Sequence, residues 1–374
     1  MTNYKAKAHL LFDAMKDTPA FQKMARTVEG SPWHREANVL VHTEMVLNDY
    51  CRRVGLIKAD DEWTRDDYLG AVECIFHDIG KPPAEIEKYS ETRGKYRAYH
   101  GHELLSARLF EDYAANKYSG FTAEEISRIS WMIEYHMPWK IEDKEKLESI
   151  GYTSKLYGHD VYTRSLLADQ YGRTSDDWDI NTARSDKWVE DFNVIVENLS
   201  PRSVNLQAPH AVFPIAPSGA GKSTYLKQLR DKAKEAGVEV VVFSLDLLRH
   251  EFYHPTDYNK AFQGSVEDKS FESRANARFH AMAKQAAEDN AILYVDNTNL
   301  SAKRRGWYLR VLKKHGFFTE AVLMPIKLQT LIDRQKTRGD KVVPEAAVRQ
   351  QYKSLQMPLI GEFDKITTSN HNMV

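Results

Sequence analysis

At 374 residues, with 42% hydrophobic and 28% charged, the chain has the composition of a globular protein and is too long for one ordinary core. A formal net charge of −1 excludes a global basic field for nucleic acid, so any such contact has to be local. Two cysteines, Cys51 and Cys74, stand in no paired motif, and no apolar run reaches the ~18 residues of a membrane span; a disulfide scaffold and a membrane partner are excluded, and a cytoplasmic setting is expected.

Residues 1–200 read mostly as helices, with apolar residues at helical spacing in "NVLVHTEMVLNDYCRRVG" and "EEISRISWMIEYHM". Polar residues recur inside this apolar texture: His42 in "VLVHTEMV", adjacent His77 and Asp78 in "CIFHDIGKP", His102 in "YHGHELLSA", His136 in "IEYHMPW" and Asp169 in "SLLADQYGR". Four of the six fall in helical segments, where an unpaired polar group costs a few kcal/mol. One such histidine is usually a satisfied core residue; so many together call for a common partner. A mixed His/Asp set suits one or two ions of Mn²⁺, Mg²⁺, Fe²⁺, Ni²⁺ or Zn²⁺. Two ions bridged by an aspartate can supply a hydroxide and clamp a phosphoester, and Lys81 is placed to bind the scissile phosphate.

The order H…HD…H…H…D over about residues 34–175 resembles the HD phosphohydrolase superfamily. The resemblance implies a core metal site of His42, His77, Asp78 and Asp169, with His102 and His136 completing a second metal. "GHELLSA" and "HMPW" also resemble HD domains associated with nucleotidyltransferases acting on tRNA. His100 competes with His102, and the "GHE" context favours the latter; His34 and Glu36 are read as supporting residues.

"NLSPRSVNLQAPH" (198–210) is polar and aperiodic, so the linker is placed at 201–210, between domains 1–200 and 211–374. After it, "HAVFPIA", "VEVVVFSLD", "AILYVDNTN" and "FFTEAVLMPI" are short strand candidates alternating with helical stretches. That alternation predicts a parallel α/β sheet with helices on both faces.

The first of these strands runs into "APSGAGKST" (216–224). Ser218, Gly219, Ala220, Gly221, Lys222, Ser223 and Thr224 form a phosphate cradle opening a helix. Lys222 would reach the β/γ-phosphates of ATP and Ser223 would ligate Mg²⁺. Ala216 stands where the usual pattern has glycine, which costs little at negative φ. Asp246 falls at a strand's carboxyl edge, where it can take a proton from an attacking hydroxyl, and Arg249 can hold a substrate phosphate. Asp296 can reach Mg²⁺ through water, and Asn297 or Asn299 the acceptor. Arg334 and Arg338, four apart, are expected on one helical face over the phosphates. Lys303, Arg304, Arg305, Lys313 and Lys314 are expected to form a local basic patch.

"PSGAGKST", Asp246-x-x-Arg249, "DNTNL" and the lid "DRQKTRGDKVVPEAAVRQQYKS" follow the order of the 5′-OH polynucleotide kinase module of T-even phage and related end-healing enzymes, which this half resembles over residues 211–357. The resemblance implies Asp246 as general base, Arg249 on the phosphate 3′ to the acceptor nucleoside, and Arg334 and Arg338 as lid residues. Asn297 stands where the phage enzyme has aspartate, so no catalytic role is carried onto it.

As a whole, the chain resembles bifunctional HD-domain polynucleotide kinase–phosphoesterases. The fold expected is an N-terminal all-α HD domain joined to a C-terminal P-loop α/β domain. The function expected is RNA or DNA end healing: ATP-dependent 5′-phosphorylation with metal-dependent removal of a 3′-phosphate or 2′,3′-cyclic phosphate. Partners implied are nucleic-acid ends, RNA before DNA, and a nucleoside triphosphate; a separate RNA ligase and a homodimer stay open. The alternatives are an HD nucleotidase fused to a small-molecule kinase, or a nucleotide-sensing regulatory module.

Overall fold

The computed structural model describes residues 2–29, 34–91, 94–116, 118–200, 208–339 and 341–370. The chain divides into two compact units, Met1–Tyr113 with Glu125–Ser200, and Ala114–Glu124 with Pro201–Val374. Most of the expected linker, residues 201–207, lies outside the described residues.

The first unit is built on three packed helices, Val39–Gly55, Arg65–Phe76 and His159–Tyr171. Each start has a local cause. The Asn38 side chain accepts from Val41 N, and Thr64 and Asp67 form a reciprocal capping box at the second helix. Helix Arg65–Phe76 is buried on nearly every side from Asp67 onward, so it is the centre of the core. At Gly70 an added Cβ would run into the Tyr50 ring, which is why helices Val39–Gly55 and Arg65–Phe76 can approach so closely.

The unit is not all-α. Strands β1 (Ile86–Ser90) and β2 (Gly94–Ala98) pair antiparallel, with Lys88 opposite Tyr96 and Ser90 opposite Gly94. The polar alternation of "IEKYS" and "GKYRA" offers no apolar face to a helix core, so the segment folds back on itself as a largely exposed hairpin.

In the second unit β3 (His210–Ile215), β4 (Val240–Phe243), β5 (Ile292–Val295), β6 (Phe318–Leu323) and β7 (Lys365–Thr368) form one parallel sheet in the order β4-β5-β3-β6-β7. Successive residues of β3 and β6 are buried whichever way they point, as a sheet covered on both faces requires. β7, only four residues long and pairing along β6 at the sheet edge, was not expected from the sequence. No described helix is long and apolar enough to cross a membrane.

Candidate functional sites

In the first unit the six expected metal residues converge. His42 comes from helix Val39–Gly55 and Asp169 from helix His159–Tyr171, while His102 opens helix His102–Ala114. His77 and Asp78 are not inside a helix, contrary to the sequence expectation: helix Arg65–Phe76 stops before them, and His136 likewise follows the end of helix Ala123–Glu134.

Two triads result, His42/His77/Asp169 and Asp78/His102/His136, each with its ligand atoms within 4.8 Å of one another. Asp78 lies between them. Its Oδ2 is 3.2 Å from His77 Nε2 and 3.5 Å from His42 Nε2, and its Oδ1 is 3.1 Å from His102 Nε2 and 4.0 Å from His136 Nε2. His42 Nε2 and Asp169 Oδ1 are 3.1 Å apart.

Three imidazoles are oriented by the main chain. Nδ1 of His77, His102 and His136 lies 2.8, 2.7 and 2.7 Å from the carbonyls of Cys74, Tyr99 and Ile133. A carbonyl only accepts, so each Nδ1 carries the proton and each Nε2 turns its lone pair to the centre. His42 Nδ1 instead lies 3.0 Å from Glu36 Oε1, which also takes His34 Nδ1 at 2.7 Å. Asp78 Oδ1 and His102 Nε2 are buried and make no hydrogen bond despite their proximity. Buried, turned inward and with Asp78 Oδ1 and His102 Nε2 unsatisfied, this donor set fits divalent cations.

The electrostatics differ from ring to ring: burial works against charge on His42 and His77, but the neighbouring carboxylates outweigh it and raise both. Burial pushes the His136 imidazole down to about 4, helped by His102 and His77, which keeps it neutral and able to ligate. Burial works against the Asp78 carboxylate, but Lys81 and His77 outweigh it and hold its pKa well below the ordinary range. Lys81, expected to bind a phosphate, has two carboxylate partners, Glu29 Oε1 at 2.6 Å and Asp78 Oδ2 at 2.7 Å. Glu29 was missed; an acidic residue before "GSPWH" carries no spacing signal. His100 follows the hairpin, lies 2.6 Å from Lys88 Nζ and is part of neither triad.

In the second unit a cleft of about 1440 Å³ opens at the carboxyl ends of the strands and is lined by Lys222, Asp246, Arg249, Asp296, Arg334 and Arg338, among others. β3 delivers the loop, and helix Lys222–Glu235 starts from it. Gly219 and Gly221 both have φ +93°, a conformation that side chains resist; at Gly219 a Cβ would also stand 2.6 Å from Gln335 Nε2. Ala216 is fully buried in the core and is not among the residues of positive φ, so alanine is accepted there.

The lid segment is bonded to this loop. Arg334 Nη1 donates to Gly219 O at 3.0 Å and Gln335 Nε2 to Ser218 O at 3.2 Å, and Ser218 N donates to Gln351 Oε1 at 2.8 Å. Lys222 Nζ folds back on Pro217 O at 2.9 Å. Burial lowers the Lys222 ammonium to about 8, and Lys341 and Arg338 push the same way.

Asp246, in the first turn of helix Leu245–Phe252, is paired twice: Oδ1 with Arg249 Nη1 at 2.7 Å and Oδ2 with Lys341 Nζ. Burial would raise its pKa, but Lys341 and then Arg249 bring it below the ordinary value. Lys341 lies within the lid segment, and no sequence motif marks it for this role. Asn297 Oδ1 accepts from Leu245 N at 3.2 Å, capping the helix that carries Asp246.

Three expectations are corrected. Asn299 lines the cleft, but its amide nitrogen is taken up by the main chain: it is buried, at φ +51°, with Nδ2 donating to Pro214 O, Val295 O and Asn297 O. Arg334 and Arg338 do not share a helical face, because helix Leu328–Lys336 ends before Arg338 as the chain approaches Gly339; both still line the cleft. Arg305 is no part of a basic surface: it is fully buried, bidentate to Glu362 at 2.6 and 2.9 Å, with further bonds to three carbonyls.

The loop, the parallel sheet and the lid contacts make the C-terminal region a P-loop kinase-like domain, and residues 215–358 match the family model of the AAA domain. The chain is 23% identical over 138 residues to the L-seryl-tRNA(Sec) kinase of Methanococcus maripaludis, covering 37% of this chain and 49% of that protein. It thus spans about half the length of that curated relative. Among solved structures, it is similar to an APS kinase of Mycobacterium tuberculosis in complex with AMPPNP and APS, at 20% identity, TM-score 0.31, and coverage of 44% and 90% of the two chains. A gluconokinase of Sinorhizobium meliloti gives 16% identity, TM-score 0.29, and coverage of 44% and 83%.

Proposed function

We propose that the chain is a bifunctional end-healing enzyme, an HD-type metal phosphohydrolase joined to an ATP- and Mg²⁺-dependent 5′-hydroxyl polynucleotide kinase. What carries the reading is that two chemically complete sites occur in one chain: the Asp78-centred triads, and a cleft holding Asp246 and Arg249 beside the Lys222 loop. A 5′-kinase and a 3′-phosphoesterase are the two activities a broken strand needs before sealing, with RNA preferred to DNA and a ligase acting afterwards.

In the kinase half, Asp246 accepts the proton of the 5′-hydroxyl, whose oxygen attacks the γ-phosphorus while ADP leaves. Lys222, Arg334 and Arg338 offset the charge on the transferred group and the leaving phosphate. Arg249 keeps one Asp246 oxygen fixed and has further donors for a phosphate of the acceptor strand. Lys341 has to leave Oδ2 before Asp246 can act.

In the phosphohydrolase half, His42, His77, Asp78 and Asp169 would hold one divalent ion, and Asp78, His102 and His136 a second. The ions would supply a bound hydroxide and positive charge for the phosphoester. The chain's own part is orientation: backbone carbonyls fix three imidazoles, the Glu36 carboxylate lies against His42, and Lys81 with Glu29 balances Asp78.

A second reading takes a small-molecule or aminoacyl hydroxyl as acceptor, favoured by the likeness to the L-seryl-tRNA(Sec) kinase. One substrate separates them: an RNA oligonucleotide with a 5′-hydroxyl and a 2′,3′-cyclic phosphate, given ATP, Mg²⁺ and Mn²⁺. The expected result is that Asp246→Ala loses only 5′-phosphorylation and Asp78→Ala only 3′-end processing. If the unaltered protein leaves both ends untouched, the polynucleotide reading is wrong.

A further inference from the structure

The kinase cleft carries more than phosphate chemistry. Beyond Arg249 the chain makes a built turn into helix Tyr258–Glu267: His250 Nδ1 lies 2.8 Å from His254 O, Asp257 N donates to His254 Nδ1 at 2.9 Å, and the Asp257 side chain caps Lys260 N at 3.1 Å. The helix is tied back to the site by Arg249, whose Nε donates to Ser265 Oγ at 3.1 Å and whose guanidinium lies 5.2 Å from the Phe262 ring centroid.

Tyr258 and Phe262, four apart, share one face of this helix and both line the cleft. Their rings are stacked, with centroids 6.0 Å apart and planes at 30°. The Tyr258 ring lies 4.7 Å from Lys341 Nζ, the same ammonium that pairs with Asp246, so one end of the aromatic pair adjoins the base. Burial and then the Asp246 charge push the Tyr258 phenol up to about 12, in keeping with that placement. The other end is open: Phe262 is 43% exposed, and Leu247, which also lines the cleft, is 57% exposed.

We infer that Tyr258 and Phe262 form a stacking platform for the nucleobase of the acceptor's 5′-terminal nucleotide. The inference rests on the polynucleotide-kinase reading and names its acceptor subsite. A hydroxyl within reach of Asp246 and a phosphate at Arg249 leave one large group of the terminal nucleotide without a partner, its flat base. Aromatic faces next to a guanidinium suit a π-faced group attached to an anion. A simple sugar or an inorganic anion offers no such face. Stacking is indifferent to base identity, so the platform serves ends of any sequence.

The test uses two 5′-hydroxyl oligonucleotides, identical except that one has an abasic 5′-terminal residue, phosphorylated by the unaltered protein, Phe262→Ala and Phe262→Trp. Loss of the base is expected to lower kcat/KM of the unaltered protein about tenfold, mainly through KM. Phe262→Ala is expected to lose a similar factor on the complete oligonucleotide and nothing further on the abasic one, with Phe262→Trp restoring discrimination. If the unaltered protein treats the two substrates alike, or the two losses multiply, the platform is refuted while the kinase reading stands. If it phosphorylates neither oligonucleotide, the polynucleotide reading falls and the platform with it.

Discussion

The two candidate sites solve opposite problems. The Asp78 centre is assembled from buried side chains, and most of their orientation is settled before any ligand arrives: three Nδ1 atoms rest on backbone carbonyls and a fourth lies beside Glu36. The Lys222 cleft is open, and its charged groups are held in temporary pairs, Lys222 on loop carbonyls and Asp246 on Lys341. A buried cluster of donors is stable only with its cation or with compensating partners, so it has to be pre-built. An open cleft that takes up substrates has to exchange partners during each turnover.

The sharpest way to break this contrast is to remove the central carboxylate of each site. Asp246→Ala is expected to lower phosphoryl transfer by roughly 10²–10⁴-fold, the range of a general base, and to leave bound metal unchanged. Asp78→Asn is expected to reduce metal retention, read by elemental analysis after dialysis, while nucleotide binding persists. Next comes the outer brace of the metal centre: Glu36→Gln weakens the anchor on His42 and should cost about 10–100-fold in metal affinity. If metal content is unchanged, pre-organisation through Glu36 is not what the first site depends on.

Smaller effects sharpen the second half of the comparison. Gly219→Ala forces a side chain into left-handed backbone against Gln335, and a loss of about 1–3 kcal/mol is expected in loop stability, read as a lower Tm and a raised KM for ATP. The smallest effect is a pH shift. Asp246 is active as the carboxylate, and Lys341 helps keep its pKa low; Lys341→Met is expected to move the acid limb of the kinase profile to higher pH. Lys222 binds as the ammonium and titrates near 8, so KM for ATP should rise as pH passes that value. Lys341→Met, by removing a neighbouring cation, should move this alkaline limb upward too.

How legible this was depended on the kind of signal. The P-loop was readable because strand, glycines and Lys-Ser occur in a contiguous stretch whose chemistry is mostly backbone. The candidate metal residues stood out as polar groups in apolar surroundings, but not their placement: His77, Asp78 and His136 proved to sit at helix ends. Lys341 and Gln335 left no signal beyond lying within the lid, because an ordinary lysine and glutamine acquire a role only when the chain folds the lid over the loop. Arg305 shows the reverse error, since a charge run reads as surface until Glu362, 57 residues later, closes on it.

By itself the sequence determined the local, periodic and contiguous features: the helical first half, the alternating strands and helices of the second, the phosphate loop, and the residue types able to ligate metal. Only the tertiary structure decided which histidine nitrogens face inward, which carboxylate lies between the triads, and which cations guard Asp246. The physical reason is that periodicity and backbone conformation are set by near neighbours, whereas burial, tautomer and ion pairing depend on groups brought together from distant parts of the chain.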